Sequence, residues 1–74
     1  MADIERLFGA AVRSKRQKLG LSQEDFADKV GIHRTYVSSI ELGKVGISIG
    51  IAQKLAATLG LSLSKLIQDA ERRG

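Results

Sequence analysis

The side chains best suited to chemistry in this sequence lie between Arg34 and Ser39. In a helix that turns about 100° per residue, Val37 and Ile40 share one side, and a mostly polar set projects opposite: Thr35, Ser38, Ser39 and Leu42. Arg34 stands at the first helical position, at the rim of the polar side. Arginine binds guanine O6 and N7 bidentately, and serine and threonine bond several base edges. Taken alone, the strip is as well explained as a solvated face; together with the helix and turn that precede it, it favours base reading in the major groove of DNA.

Catalytic and metal-binding chemistry is poorly supported. One histidine, one tyrosine and no cysteine leave few candidates for an acid–base or nucleophilic pair. His33 has no second histidine or cysteine with which to share a metal ion, and it falls where the N-cap of the third helix is expected. The stretch from Gly43 to Gly50 suggests a phosphate loop, but it lacks the Gly-Lys-Ser/Thr ending and a preceding strand. We expect no enzyme, no cofactor and no metal.

Five helical segments must position this polar strip. Apolar residues recur at spacings of three and four, as in the first segment from Ile4 to Val12, and no stretch alternates usefully with period two. Glycines end the segments and serines cap most of them. The predicted helices cover about residues 3–18, 23–30, 34–42, 49–59 and 63–72. The sequence therefore predicts an all-α fold of five helices in a single domain, residues 1–74.

The second and third segments form a unit of their own. Ser22, followed three residues later by Asp25, resembles a capping box. Gly31 ends the second helix, and about three residues separate it from the third. Two short helices across a tight glycine-containing turn have the spacing of a helix-turn-helix, here over about residues 22–42.

Composition and charge narrow the class of partner. Lys and Arg total 12 against 8 acidic residues, a net charge of +4, and four of the basic residues crowd into six positions with no acid among them: Arg13, Lys15, Arg16 and Lys18. This clustering favours a polyanionic partner. No apolar run approaches the ~20 residues of a membrane-spanning helix, and a membrane-surface helix is disfavoured because the basic cluster flanks a stripe needed for the core. We expect a cytoplasmic protein that binds neither membrane nor small-molecule ligand.

Several stretches together resemble the phage-repressor-like (Xre-type) helix-turn-helix family. They are residues 12–16, the run Leu19-Gly20-Leu21-Ser22-Gln23-Glu24-Asp25-Phe26-Ala27, residues 31–41, 55–56 and 59–61. The run His33-Arg34-Thr35-Tyr36-Val37-Ser38-Ser39-Ile40-Glu41 is particularly similar to the small controller proteins of restriction–modification systems. The resemblance covers nearly the whole chain, although the controllers commonly carry a basic or polar residue where this sequence has Leu42, Val45 and Gly46.

The resemblance implies roles for individual residues. The implied base-reading residues are Arg34, Thr35 and Ser39, with Ser38 facing the same way. The implied contacts to the DNA backbone are Gln23, Tyr36 and Lys44, to which the basic cluster adds Arg13 and Lys15. Arg16 and Glu41 match an ion pair that ties the first helix to the third, and the alternative for Arg16 is a direct phosphate contact.

The region around the fourth and fifth helices is where this family commonly forms a two-fold dimer. Ile47 and Ile51 are apolar residues beyond those needed for the inner stripe of the fourth helix, and neighbouring exposed isoleucines often mark an interface. Together with Leu63 they are the candidate interface residues. The alternative is that these isoleucines complete the core of a thin domain.

The function expected from these features is sequence-specific regulation of transcription. A homodimer would place one third helix in each half of a palindromic operator on double-stranded DNA, and RNA polymerase is a further candidate partner. An antitoxin-type module that neutralises a protein partner and autoregulates shares this fold and is the alternative.

Overall fold

The computed structural model describes residues 3–74, and this part of the chain folds into five α-helices and no strand. The helices are α1 (Ile4–Lys18), α2 (Gln23–Val30), α3 (Arg34–Glu41), α4 (Ile49–Thr58) and α5 (Leu63–Arg73). The all-α prediction is confirmed, and each boundary lies within one residue of its predicted position. None of the helices in residues 3–74 combines the length and apolar character needed to cross a membrane.

A side-chain cap starts every helix. Asp3, Ser22, Ser48 and Ser62 each accept a hydrogen bond from the backbone N–H three residues ahead. At α3 the cap is His33, whose Nδ1 accepts from the N–H of Thr35 at 3.1 Å. These bonds satisfy N–H groups that have no partner within the helix, which explains why short polar residues at these positions predict the helix starts so well.

The core receives fully buried side chains from all five helices. The largest are Val12, Phe26, Val37, Ile40, Leu55 and Leu66. The backbones of α1 and α3 approach each other closely, because a Cβ on Gly9 would clash with the carbonyl oxygen of Ile40. Only glycine allows α1 to pack this tightly against the inner side of α3.

At the edge of the core, one residue of a predicted apolar stripe is not buried. Ile4 was expected on the inner face of α1, but it is 46% exposed. It lies in the first turn of α1 and lines a shallow apolar cleft together with Phe8, Ile47, Ala52 and Ile67. Helical periodicity gives the direction of a side chain, whereas burial also requires a neighbouring element over that turn.

Candidate nucleic-acid interface

The turn between α2 and α3 sets the angle of the third helix. Gly31 adopts a left-handed conformation with φ of 87°, and its N–H bonds to the carbonyl of Ala27 at 2.8 Å. The N–H of Ile32 bonds to the same carbonyl at 3.0 Å, and the half-buried Ile32 packs against the core. Since His33 already caps α3, only three residues connect the two helices. The chain thus forms the short, glycine-containing connection of a helix-turn-helix.

The third helix has a buried face and an accessible face. Val37, Ile40 and Glu41 are buried. On the other face Arg34 and Thr35 are exposed, whereas Ser38 and Ser39 are half-buried. The structure therefore brings the four predicted base-reading residues to one surface, with the two serines closer to the body of the protein than the first two residues.

A buried ion pair anchors the C-terminal end of α3. The Nε of Arg16 donates to Oε2 of Glu41 at 2.7 Å and Nη2 donates to Oε1 at 3.0 Å, with side-chain exposures of 9% and 1%. Nη1 of Arg16 donates to the carbonyl of Leu21 at 2.8 Å. The hydrogen bonds to Glu41 raise the pKa of the Arg16 guanidinium above its ordinary value, and burial opposes that rise only in part. All three nitrogens of the Arg16 guanidinium therefore donate to groups within the domain, and this argues against the alternative of a phosphate contact.

The first residue of α2 joins the same network. Nε2 of Gln23 donates to Oε1 of Glu41 at 3.0 Å, and the residue is half-buried. Sequence reasoning predicted only a phosphate contact for Gln23 and missed this bond, because nothing in the spacing shows that Gln23 and Glu41 meet. One donor of the amide is engaged inward, while the other N–H and the oxygen are not engaged in this bond. The predicted phosphate contact remains a prediction.

A second ion pair spans the open cleft between α2 and the start of α3. The cleft is lined by polar side chains from both helices: Ser22, Gln23, Glu24, Asp25, Arg34, Thr35 and Ser38. Across it, Nη1 of Arg34 lies 3.6 Å from Oε2 of Glu24, and the two side chains are 67% and 69% exposed. Sequence reasoning did not anticipate this pair, since it depends on how the turn places α3 beside α2.

The remaining residues that are predicted to contact the DNA backbone differ in their exposure. Arg13 is exposed and Lys15 is half-buried near the C-terminal end of α1. Lys44 is exposed in the loop after α3, and its N–H bonds to the carbonyl of Ser39 at 3.0 Å. Tyr36 is half-buried and packs partly against the core. The amphiphilic ring of Tyr36 thus supports the flank of α3 while part of it stays accessible.

The predicted dimer residues are less open than expected. Ile47, Ile51 and Leu63 are half-buried and pack against the core, so part of each side chain completes the domain itself. The most exposed large apolar side chain among residues 3–74 is instead Ile49, at 79%. The sequence analysis did not single out Ile49. It lies between Ile47 and Ile51, and the spacing of these isoleucines does not show which side chain points to solvent.

Residues 3–74 contain no group of three or more His, Cys, Asp or Glu side chains placed to hold a metal ion together. His33 engages Nδ1 in the cap of α3. Within residues 3–74 every buried side-chain nitrogen and oxygen of a non-exposed residue has a hydrogen-bond partner.

Comparison with known proteins gives a consistent result. A family model described as helix-turn-helix matches residues 12–66. The control protein C.MunI of a Mycoplasma species is 42% identical over 73 residues, which are 97% of this chain and 99% of that protein. The control protein C.BamHI of Bacillus amyloliquefaciens is 38% identical over 66 residues, covering 88% of this chain and 82% of that protein.

A solved structure shares both the sequence similarity and the fold. The restriction-modification controller protein C.AhdI of Aeromonas hydrophila superposes with a TM-score of 0.79 at 36% identity, over 82% of this chain and 92% of that one. The helix-turn-helix family model, which matches residues 12–66, includes the whole of α2, the turn and α3.

Proposed function

The chain belongs to the helix-turn-helix family and is a DNA-binding transcriptional regulator closely related to restriction–modification controller proteins, and from this premise we propose that it binds a palindromic operator as a homodimer. The family points to regulation rather than to catalysis. We assign the protein the role of a controller, since its similarity to C.MunI extends over 99% of that control protein. We infer that it acts on DNA in the cytoplasm.

The observation that carries the proposal is the orientation of α3. Its inner side is held by Val37, Ile40 and the bidentate Arg16–Glu41 pair, while Arg34 and Thr35 stand exposed at its start. A helix fixed on one side and polar on the other can enter a major groove without rearranging the domain. Arg34, Thr35, Ser38 and Ser39 are the proposed base-reading residues.

Phosphate contacts position such a helix and supply much of the affinity. We assign them to Gln23, Tyr36, Lys44, Arg13 and Lys15. The exposed positions of Arg13 and Lys44 support this assignment. The free amide groups of Gln23 lie at the N-terminus of α2, where the helix dipole favours an anion.

The size of the domain bears on how a dimer would sit on DNA. Its extents are 31 × 22 × 22 Å, close to the ~34 Å between half-sites one helical turn apart. In the proposed dimer the two third helices would lie in successive major grooves of one DNA face, about one helical turn apart. We propose an interface on the surface of α4 and α5 formed by Ile47, Ile51 and Leu63, to which the exposed Ile49 is added. Contact with RNA polymerase by the DNA-bound dimer would couple binding to transcription.

Selection of bound fragments from a pool of random duplexes tests the proposal. At about 0.1 M salt the enriched fragments are expected to contain an inverted repeat whose half-site centres lie about 10 base pairs apart. Sedimentation equilibrium should give twice the monomer mass, and Ile49→Asp should shift it toward the monomer. Gln17→Asp, at an exposed position of α1 outside the proposed interface, is the control. Failure of any sequence to enrich would contradict specific binding, and enrichment of a single half-site would contradict the dimer.

A further inference from the structure

The pair between Arg34 and Glu24 places an acidic group on the surface proposed to face DNA. Glu24 lies on α2 and Arg34 opens α3, and the two meet across the polar cleft with 3.6 Å between Oε2 and Nη1. An acid at this place repels phosphate oxygens, so it lowers the affinity for every duplex. Glu24 lies in the first turn of α2, where the helix dipole favours an acid, and its contact with Arg34 adds an effect on the surface proposed to face DNA.

The pair is weak enough to exchange. Both side chains are about two-thirds exposed, and the separation is longer than a hydrogen bond. Pairs of this kind contribute little to folding, because the charges stay solvated and ordering two long side chains costs entropy. The contact uses Nη1, so the edge of the guanidinium formed by Nε and Nη2 lies outside it. That edge is one that can donate two parallel hydrogen bonds to guanine.

We infer that Glu24 is a specificity-determining residue that holds Arg34 over the cleft and keeps it from pairing with phosphates. This inference rests on the proposed base-reading role of Arg34. Guanine offers two acceptors in the fork geometry of a guanidinium, and can bind Arg34 in spite of the acid. A phosphate attracts Arg34 mainly through its negative charge. The carboxylate of Glu24 already gives Arg34 a negatively charged partner, so a phosphate has less to add. Glu24 thus weakens binding to arbitrary DNA more than binding to the operator.

The inference predicts that Glu24→Gln raises the affinity for DNA and lowers the specificity for the operator. Arg34 becomes free to contact phosphate on any duplex, so the affinity for a scrambled duplex should rise about tenfold. The affinity for the selected operator should rise about twofold, because Arg34 is already engaged with a base there. The ratio of the two affinities should therefore fall about fivefold. The slope of log affinity against log salt on the scrambled duplex should steepen by about 0.9, the value for one added phosphate contact.

Asp25→Asn is the matched control. Asp25 is the next residue on α2, is exposed, and lines the same cleft, but it forms no ion pair with Arg34. The substitution removes the same charge and keeps the backbone N–H that Ser22 caps. It should strengthen binding to both duplexes by similar factors and leave their ratio within about twofold, because it changes only the local charge. Equal ratios and equal salt slopes for the two variants would overturn the inference.

A second background separates this inference from the function on which it rests. In Arg34→Ala, Glu24→Gln should no longer change the affinity ratio, because the residue restrained by Glu24 is absent. If Arg34→Ala alone lowers the ratio while Glu24→Gln behaves like Asp25→Asn, base reading by Arg34 stands and the role of Glu24 is wrong. If Arg34→Ala leaves the ratio unchanged, base reading by Arg34 fails and the role of Glu24 fails with it.

Discussion

The two ends of α3 carry ion pairs of the same chemistry in opposite environments. At the C-terminal end Glu41 is almost completely buried and accepts two bonds from Arg16 and one from Gln23. At the N-terminal end Arg34 faces Glu24 in open solvent at 3.6 Å. A buried, fully bonded pair is costly to break, whereas an exposed pair is easily exchanged for another partner. The domain thus fixes its third helix at one end and leaves the other end available for a ligand.

The largest expected effect comes from breaking the buried pair. Arg16→Met leaves the Glu41 carboxylate inside the protein with only the Gln23 amide as a donor, and it also frees the carbonyl of Leu21. Loss of one partner of a buried pair costs about 3–5 kcal/mol. The free energy of unfolding, measured by urea denaturation and circular dichroism, should therefore fall close to zero. A protein of this size has a free energy of unfolding of only a few kcal/mol.

Arg73→Met is the control for that measurement. Arg73 forms a pair with Asp69 one turn away on α5, with side-chain exposures of 35% and 24%. Its removal should cost no more than about 0.5 kcal/mol. A loss of similar size for both variants would show that burial does not distinguish the two pairs.

The pH dependence of the buried pair follows from the pKa shift of Arg16. Its folded-state pKa is raised, so its contribution to stability is complete below the unfolded-state pKa and is lost only as the pH rises through the folded-state value. Both values lie far above neutrality. Stability measured from pH 7 to about pH 10 should show no loss attributable to Arg16, and a loss that is absent in Arg16→Met would contradict this.

The next largest effect concerns the backbone contact that supports the fixed end of α3. In Gly9→Ala a methyl group would meet the carbonyl oxygens of Ile40 and Glu41 at 2.2 and 2.8 Å. The two helices must separate, at a cost of about 2–3 kcal/mol. Gly50→Ala in α4 is the comparison, because nothing lies within 4 Å of its added Cβ, and it should stabilise the domain by about 0.5 kcal/mol. Unfolding in urea distinguishes the two directly.

The sequence predicts the helices well because their ends are encoded locally. Ser22, Ser48 and Ser62 cap the residues that follow them, and a glycine such as Gly31 ends a helix by adopting a positive φ. None of these signals depends on distant parts of the chain. The same holds for the direction of Val37 and Ile40, which follows from helical periodicity.

What the sequence does not reveal depends on how the helices are placed against one another. A glycine in the middle of α1 is ordinarily a weakness, and only the approach of α3 makes Gly9 necessary. The bond from Gln23 to Glu41 and the pair of Arg34 with Glu24 join residues of different helices. Helical periodicity likewise does not show that Ile47 and Ile51 pack against the core while the side chain of Ile49 is exposed to solvent.

Arg34→Ala tests the open end of α3 and should separate stability from binding. The free energy of unfolding should change by no more than about 0.5 kcal/mol, because the pair with Glu24 is exposed. Binding to the selected operator should weaken by about 1–3 kcal/mol, with relaxed preference at one position per half-site. Affinities for operator and scrambled duplexes at one salt concentration give the answer. An equal loss on both duplexes would mean that Arg34 contacts only phosphate.

The smallest effect is expected from the cap at the same end. Nδ1 of His33 accepts from the N–H of Thr35 at 3.1 Å, and this is the only side-chain cap in residues 3–74 made by an imidazole. His33→Ala removes the acceptor and should cost about 0.5–1 kcal/mol of stability, whereas His33→Asn supplies a preferred cap and should cost nothing. Because the cap precedes Arg34 directly, His33→Ala should also weaken operator binding slightly by loosening the first turn of α3. Thermal unfolding and operator affinity of both variants measure this, and equal behaviour of the alanine and asparagine variants would show that the open end of α3 does not depend on its cap.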